Sequence, residues 1–301
     1  MPVTVELERA RKCYDGLVAV ESLSLSISGG EIFGLLGPNG AGKTSTIRMM
    51  IGITRPDSGA VRVFGNPVAR ATLSRVGYLP EERGLYRRMT VRDNLSFLGQ
   101  LAGLTAAQAL ERGRAWTVRL ELEDWFERRV EELSKGMQQK IQFVAALIHD
   151  PEFIVMDEPF GGLDPVNADE LKEILLELKA QGRTIVLSTH RMDQAEKLCD
   201  AICLINGGRA ILQGNLREIK SQYGERFVQI DYAGANGLLA GHPMVEARRD
   251  FGNHLEVKLR AGADPQELLH AAAASARISR FELMEPSLEE IFIDRVGRRD
   301  A

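Results

Sequence analysis

Apolar and polar positions alternate through the first 65 residues, where "VTVELERARKCY", "LSLSIS", "EIFGLL" and "AVRVFG" carry the two-residue period of strands. One helical stretch, "GKTSTIRMMIGI", interrupts them. From Thr90 to His149 the apolar residues recur at steps of three and four, in "VRDNLSFLGQLAGL", "AAQALERGRAWTVRL" and "MQQKIQFVAALIH". That pattern predicts a helical insert over residues 84–150. Strand "EFIVMDE", helix "PVNADELKEILLELKAQ", strand "TIVLST", helix "MDQAEKLC" and the hairpin "AICLINGGRAILQG" follow, with Asn206-Gly207 marking the turn. Strands alternating with helices predict a mostly parallel sheet covered on both faces.

Past about Ser221 the pattern changes. "RFVQIDYAG", "HLEVKLRAG", "PQELLHAAAASA", "ISRFELM" and "SLEEIFIDRV" read as a small α/β unit of about 80 residues, a size that folds on its own. The boundary falls near "KSQYGE", giving domains 1–220 and 221–301. In the last helix Leu288, Ile291, Phe292 and Val296 mark one apolar face, read as the core of the small domain, the alternative being a dimer or regulatory contact.

Composition narrows the function classes. The chain has 301 residues, 44% of them hydrophobic, enough for a sizeable core and, on length, two domains. Its longest apolar runs, such as "FVAALI" from Phe143, fall short of the roughly 20 residues of a membrane helix, and the N-terminus has no signal-peptide pattern. A cytosolic protein is expected. A net charge of -4 with mixed signs gives no support to nucleic acid or an anionic surface as partner. Three cysteines, Cys13, Cys199 and Cys203, make no disulfide framework and read as apolar filling.

The chemistry is more specific. Gly37 to Thr44 spells G-x-x-x-x-G-K-T after an apolar strand and before a helix, the context that a phosphate-binding loop requires. Gly37, Gly40 and Gly42 let the backbone turn its amides toward phosphate, and the helix adds roughly half a positive charge at its start. Lys43 would reach the β- and γ-phosphates and Thr44 would offer its hydroxyl to Mg²⁺. "FIVMDEP" ends a buried strand in Asp157 and Glu158, carboxylates that an apolar run does not carry without a task. Asp157 would hold Mg²⁺, and Glu158 would orient or deprotonate an attacking water. His190 ends the strand "TIVLST". A parallel sheet brings it to the edge that carries Gly37 and Glu158, within reach of a γ-phosphate.

The ordered set "GPNGAGKT", "LSKGM", "IVMDEP", "GGLD" and "STH" resembles the nucleotide-binding subunit of an ABC transporter over about the first 220 residues. "EPSLEEIFIDRVG" resembles the C-terminal extension of ATPases of type-2 ABC exporters, and "GYLPEERGLY" with "SKGMQQKIQF" looks most like the sodium-extrusion, NatA-like branch. The resemblance implies a P-loop NTPase fold with an antiparallel β subdomain, a mostly parallel sheet, a helical insert and a C-terminal α/β domain. It places Gly37, Pro38, Asn39, Gly40, Ala41, Gly42, Lys43, Thr44 and Ser45 around the phosphates of ATP, and Tyr14 against the adenine. Thr44 and Asp157 would hold Mg²⁺, with Glu158, His190 and Lys43 as the catalytic set. Such ATPases work as head-to-tail dimers. Ser134, Lys135, Gly136, Met137 and Asp164 would therefore face the ATP of the other subunit, and Leu163 with Asp164 form the loop through which subunits communicate.

Two departures from the family pattern stand out. Glu81 occupies a position where glutamine is usual; it is expected to join the metal shell, the alternative being a solvated loop acid. The usual Leu-Ser-Gly-Gly-Gln reads Leu133, Ser134, Lys135, Gly136, Met137. Ser134 remains an N-cap and Gly136 still admits an anion. Lys135 either touches the γ-phosphate or lies in water.

The expected function is an Mg²⁺-dependent ATPase, a homodimer that drives a separate integral-membrane permease from the cytoplasmic face, with export of Na⁺ or a drug compatible. The permease would dock near "EERGLYRRMTVRDN". A DNA- or ribosome-directed ATPase of the same class would bring tandem cassettes or long coiled-coil inserts. A non-hydrolysing regulatory module would have lost Glu158 or His190.

Overall fold

In the computed structural model of the chain, the described residues are 2–82, 84–223, 227–234, 237–260 and 262–297. Arg83, Gly224, Glu225, Arg226 and Ala261, from stretches singled out above, lie outside them. The chain divides into two compact units, Met1–Gly214 and Asn215–Ala301.

The first unit opens with β1 (Val3–Tyr14) and β2 (Leu17–Ser28), an antiparallel pair. The second strand is longer than "LSLSIS", because the turn at Asp15-Gly16 brings Leu17 opposite Tyr14 at once. Next come β3 (Ile32–Leu36), α1 (Lys43–Met50), β4 (Ser58–Val63), β5 (Asn66–Pro67), α2 (Arg70–Leu73) and β6 (Val76–Leu79). The strands β2-β1-β4-β5 form one antiparallel sheet, with Val5, Leu7, Val20 and Ile27 buried beneath it.

The helical insert holds α3 (Val91–Leu101), α4 (Ala106–Arg119) and α5 (Lys135–Leu147), each opened by a hydroxyl N-cap: Thr90, Thr105 and Ser134. The chain then runs through β7 (Phe153–Asp157), α6 (Pro165–Ala180), β8 (Thr184–Thr189), α7 (Met192–Leu198), β9 (Ala201–Asn206) and β10 (Arg209–Asn215). The second sheet has the order β10-β9-β3-β8-β7-β6, with parallel pairing from β9 through to β6. Every residue of β3, β7 and β8 is buried; on one face Phe33, Phe153 and Val186 pack with Val5 and Ile27 of the antiparallel sheet and with Ile47 of α1, a correction to a sheet covered by helices alone. The hairpin turn falls one residue later than Asn206-Gly207. Gly207 and Gly208, at φ 54° and 75°, take the two left-handed positions that such a turn needs, and Asn206 stays in the strand.

Cys199 and Cys203 sit in this core, where burial pushes both thiols up to about 12, whereas Cys13 is half-buried. At neutral pH their thiolate fraction is negligible. Thiol titration of the native protein is therefore expected to show one fast-reacting group, Cys13, with the other two released by denaturant. Two or more fast thiols in the native state would contradict that burial.

The second unit contains α8 (Leu216–Tyr223), β11 (Phe227–Ala233), β12 (Val245–Asp250), β13 (His254–Leu259), α9 (Pro265–Ser275), β14 (Arg277–Met284) and α10 (Leu288–Gly297). Its sheet is antiparallel in the order β12-β13-β11-β14. Alternate residues Val228, Ile230 and Tyr232, with Leu255, Val257 and Leu259, meet Leu268 and Ala272 of α9 in a separate core. Leu288 and Ile291 of α10 are buried and Phe292 is half-buried; the side chain of Val296 is not among those described. No described helix is long and apolar enough to cross a membrane.

Candidate active site

The parallel register sets the strand ends level. Leu36 pairs with Thr189, Asp157 with Ser188, and Leu79 with Met156, so β3, β8, β7 and β6 deliver their following loops to one sheet edge. Open α/β sheets bind ligands at this edge.

The loop after β3 is pinned from two sides. A Cβ on Gly37 would come 2.1 Å from the Ile205 carbonyl, and one on Gly42 would come 2.3 Å from that of Ala19. Both residues also have left-handed φ, at 150° and 108°. No other residue fits there. Pro38, Asn39 and Gly40 form the exposed tip, Ala41 is buried, and Ser45 is half-buried on α1. Gly42 caps α1, so the helix offers its first amides to an anion. The Lys43 ammonium donates to the carbonyls of Gly37 at 2.8 Å and Pro38 at 3.1 Å. Burial lowers its pKa; the charges of Glu158, then Asp157, then Glu81 work against that shift.

The Thr44 hydroxyl donates to Asp157 Oδ2 at 2.9 Å, and Asp157 is 1% exposed. A hydroxyl oxygen and a fixed carboxylate beside a phosphate-type loop are hard oxygen donors, the set that suits Mg²⁺. Next along the chain, Glu158 has φ 51°, unusual for a residue with a side chain. Its amide donates to the Ser188 carbonyl at 2.9 Å, which anchors that backbone on β8. The carboxylate then accepts from the Thr189 hydroxyl at 3.0 Å and the His190 amide at 2.9 Å, and lies 2.6 Å from His190 Nδ1. An ionised carboxylate only accepts, so this contact asks for the proton on Nδ1. The two residues read from sequence as neighbours across a sheet edge thus touch directly.

Ser134 caps α5 by accepting from the Met137 amide at 3.2 Å. Lys135 is exposed, and Gly136 and Met137 are half-buried. A methyl on Gly136 would lie 3.6 Å from the Leu163 side chain, so the "LSKGM" and "GGLD" stretches sit side by side. Asp164 caps α6 from the Asn167 amide at 3.0 Å, and that contact holds its carboxyl below the usual range. Tyr14 is 36% exposed at the far end of β1. The partner strand β2 runs on from there to Ala19, the residue that abuts Gly42.

Three residues escaped the sequence reading. Thr189 holds Glu158, as described. Gln139 of α5 donates to the Pro159 carbonyl at 3.0 Å, just beyond Glu158. Gln142 donates to the carbonyls of Pro80 at 3.1 Å and Glu82 at 3.0 Å, on either side of Glu81. Their signal was amides on the apolar face of a helix. Burial, which gave them meaning, was invisible.

Fold and site together define a P-loop nucleotide-binding cassette. Residues 20–161 match the ABC transporter family, and residues 214–296 match the C-terminal domain of DrrA1-3-like ATP-binding proteins. The chain is 40% identical to the uncharacterized ABC transporter ATP-binding protein YhaQ of Bacillus subtilis, over 97% of this chain and 98% of that one. It is 36% identical to the Nod factor export ATP-binding protein I of Rhizobium sp. and 33% identical to the linearmycin resistance ATP-binding protein LnrL of Bacillus subtilis, with 98% of each chain covered in both cases. A solved ATP-binding subunit of an ABC transporter shares the fold with a TM-score of 0.68 at 32% identity, covering 73% of this chain and 93% of that one. The chain belongs to the ATP-binding proteins of ABC transporters.

Proposed function

We propose that the chain binds and hydrolyses Mg²⁺-ATP as the motor subunit of an exporter whose membrane pathway is a separate protein. The observation that carries this reading is the intact hydrolytic set: Glu158 beside Thr189 and His190, next to Asp157, Thr44 and Lys43. A binding module without turnover has no use for a strained, buried-edge glutamate aimed across the sheet edge.

In this reading the loop amides of Gly40, Gly42 and Thr44 and the Lys43 ammonium bind phosphate, Ser45 lies at the same helix start, and Tyr14 stacks on the base. Thr44, Asp157 and Glu81 would hold Mg²⁺, which when bound would supply charge neutralisation at the phosphates. Glu158 takes the proton of the attacking water. To do so its carboxylate must exchange the His190 and Thr189 contacts for that water, which frees His190 to face the γ-phosphate. Ser134, Lys135, Gly136, Met137 and Asp164 close on the ATP of a second copy, so binding drives dimer closure and hydrolysis releases it.

The cytoplasmic face of the membrane is the working place, and the stretch from Glu81 to Asn94 is the docking region. "GYLPEERGLY" and "SKGMQQKIQF" support the sodium-extrusion branch. Full-length likeness to ATP-binding proteins of Nod factor export and linearmycin resistance supports a lipid-like or drug cargo. Affinity purification of the tagged chain from detergent-solubilised membranes is expected to retain a polytopic membrane protein whose presence raises ATPase activity. Retention of a ribosome or of DNA in its place would overturn the exporter reading.

Lys135 gives a further expectation. A cation at the first position of α5 opposes the dipole of its own helix, a cost that an incoming phosphate reverses. Lys135→Gly is expected to leave ATP affinity of the isolated chain unchanged and to raise the ATP concentration needed for dimerisation by about tenfold, the worth of one charge-assisted hydrogen bond. An unaltered dimerisation curve places the ammonium in water.

A further inference from the structure

We propose that Gln142 is a positioning residue for Glu81: it clamps the loop after β6 so that the Glu81 carboxylate is held ready for the Mg²⁺ of bound nucleotide. The proposal rests on the reading of Glu81 given above and adds a residue that the sequence motifs do not contain.

The geometry is specific. Gln142 is 4% exposed and its amide nitrogen donates both hydrogens, one to the Pro80 carbonyl at 3.1 Å and one to the Glu82 carbonyl at 3.0 Å. These two carbonyls bracket residue 81, so a single side chain ties the backbone down just before Glu81 and one residue after it. Only a side-chain amide places two uncharged donors on one atom at this reach. Its oxygen, by contrast, is buried with no hydrogen-bond partner among the described residues. An unpaired buried acceptor is a cost that leucine or methionine in the same space would not carry. The two donated bonds are therefore what the amide supplies, and space filling does not explain it.

The clamp is also rigidly mounted. α5 lies so close to β6 that a Cβ on Gly77 would come 2.3 Å from the Ala146 carbonyl and 2.8 Å from the Pro151 ring. The strand that leads into the Glu81 loop and the helix that carries Gln142 are thus pressed together. Glu81 itself is exposed, and its charge reaches both Lys43 and the Tyr78 hydroxyl, which burial, then Asp157, push up to about 12. A carboxylate so placed is free to turn toward the nucleotide only if its backbone is held by something else. Gln142 does that holding. Ser134 and Gln142 are eight residues apart on α5, about 12 Å along the helix. One stiff element thus joins the end that meets the second copy's ATP to the loop that serves this chain's own metal.

The test uses the full chain. In the nucleotide-free protein, amide hydrogen exchange of the peptide spanning residues 77–82 is expected to accelerate in Gln142→Ala and in the length-matched Gln142→Met, with thermal unfolding of each confirming a folded protein. Gln139→Ala is the control: Gln139, on the same helix, donates to the Pro159 carbonyl, so exchange at 77–82 is expected to stay as in the wild type. With a non-hydrolysable ATP analogue bound, Mn²⁺ affinity read by electron paramagnetic resonance is expected to fall about tenfold in Gln142→Met and in Glu81→Ala, as for loss of a residue that orients a ligand. If Glu81→Ala weakens Mn²⁺ and the Gln142 variants do not, the positioning role is overturned while the reading of Glu81 stands. If Mn²⁺ affinity is unchanged in Glu81→Ala as well, both fall.

Discussion

Glu158→Gln is expected to bind ATP as the wild type does and to hydrolyse it at least about a hundredfold more slowly, the usual loss when one group that acts in the transition state is removed. The amide keeps the size of the side chain: its oxygen can take the Oε1 place and accept from the His190 amide, while its NH2 takes the Oε2 place and donates to the Thr189 hydroxyl oxygen. What it loses is basicity. The Lys43 and Thr44 contacts to the loop and to Asp157 do not involve the Glu158 carboxylate, so the binding half of the site stays as it was. The measurement is a single-turnover rate beside an equilibrium ATP titration. A normal rate in Glu158→Gln would mean that another group takes the water proton, and the assignment would fail. His190→Ala distinguishes the two partners: it removes the Nδ1 contact at 2.6 Å and leaves the carboxylate, so a partial loss of rate is expected.

Lys43→Ala is expected to act earlier, on binding. Lys43 is 7% exposed, and the charges that act on its ammonium are the carboxylates of Glu158, Asp157 and Glu81. Removing it deletes charge-assisted contacts worth about 1.5–3 kcal/mol each and leaves three carboxylates facing a polyanion. ATP affinity is expected to fall by about two orders of magnitude or more, with the fold retained, since the lysine's bonds to Gly37 and Pro38 tie down only the loop tip. Equilibrium binding of a fluorescent ATP analogue checks it. An affinity within twofold of wild type would remove Lys43 from the site.

Much of this site could be read from the chain. The phosphate loop announces itself because only glycine survives at Gly37 and Gly42, where backbone carbonyls stand 2.1 and 2.3 Å from an absent Cβ. Asp157 and Glu158 stood out against the buried run of β7, and parallel pairing then placed His190 near them. What the sequence could not give was contact. That the imidazole lies on Glu158, that Thr189 shares the load, and that Gln142 grips the loop around Glu81 all depend on distances across more than 30 positions of chain. The strand β12 was missed for another reason: "VEARRD" is a polar edge strand with no fully buried residue, so the two-residue signal is weak. The turn after β9 slipped by one residue because Asn206-Gly207 and Gly207-Gly208 are both good hairpin turns and only the backbone decides.

The central claim is that each ATP is held between the phosphate loop of one copy and Ser134 to Met137 of another. Sedimentation of Glu158→Gln with ATP and Mg²⁺, beside the same chain carrying Ser134→Arg, tests it most directly. Ser134 is exposed at the start of α5, so arginine there costs the helix only about 1 kcal/mol of capping and leaves its own phosphate loop untouched. Glu158→Gln is expected to sediment as a dimer in ATP and as a monomer without it. The double variant is expected to bind ATP equally well and remain a monomer; a double variant that still dimerises in ATP would contradict the shared site.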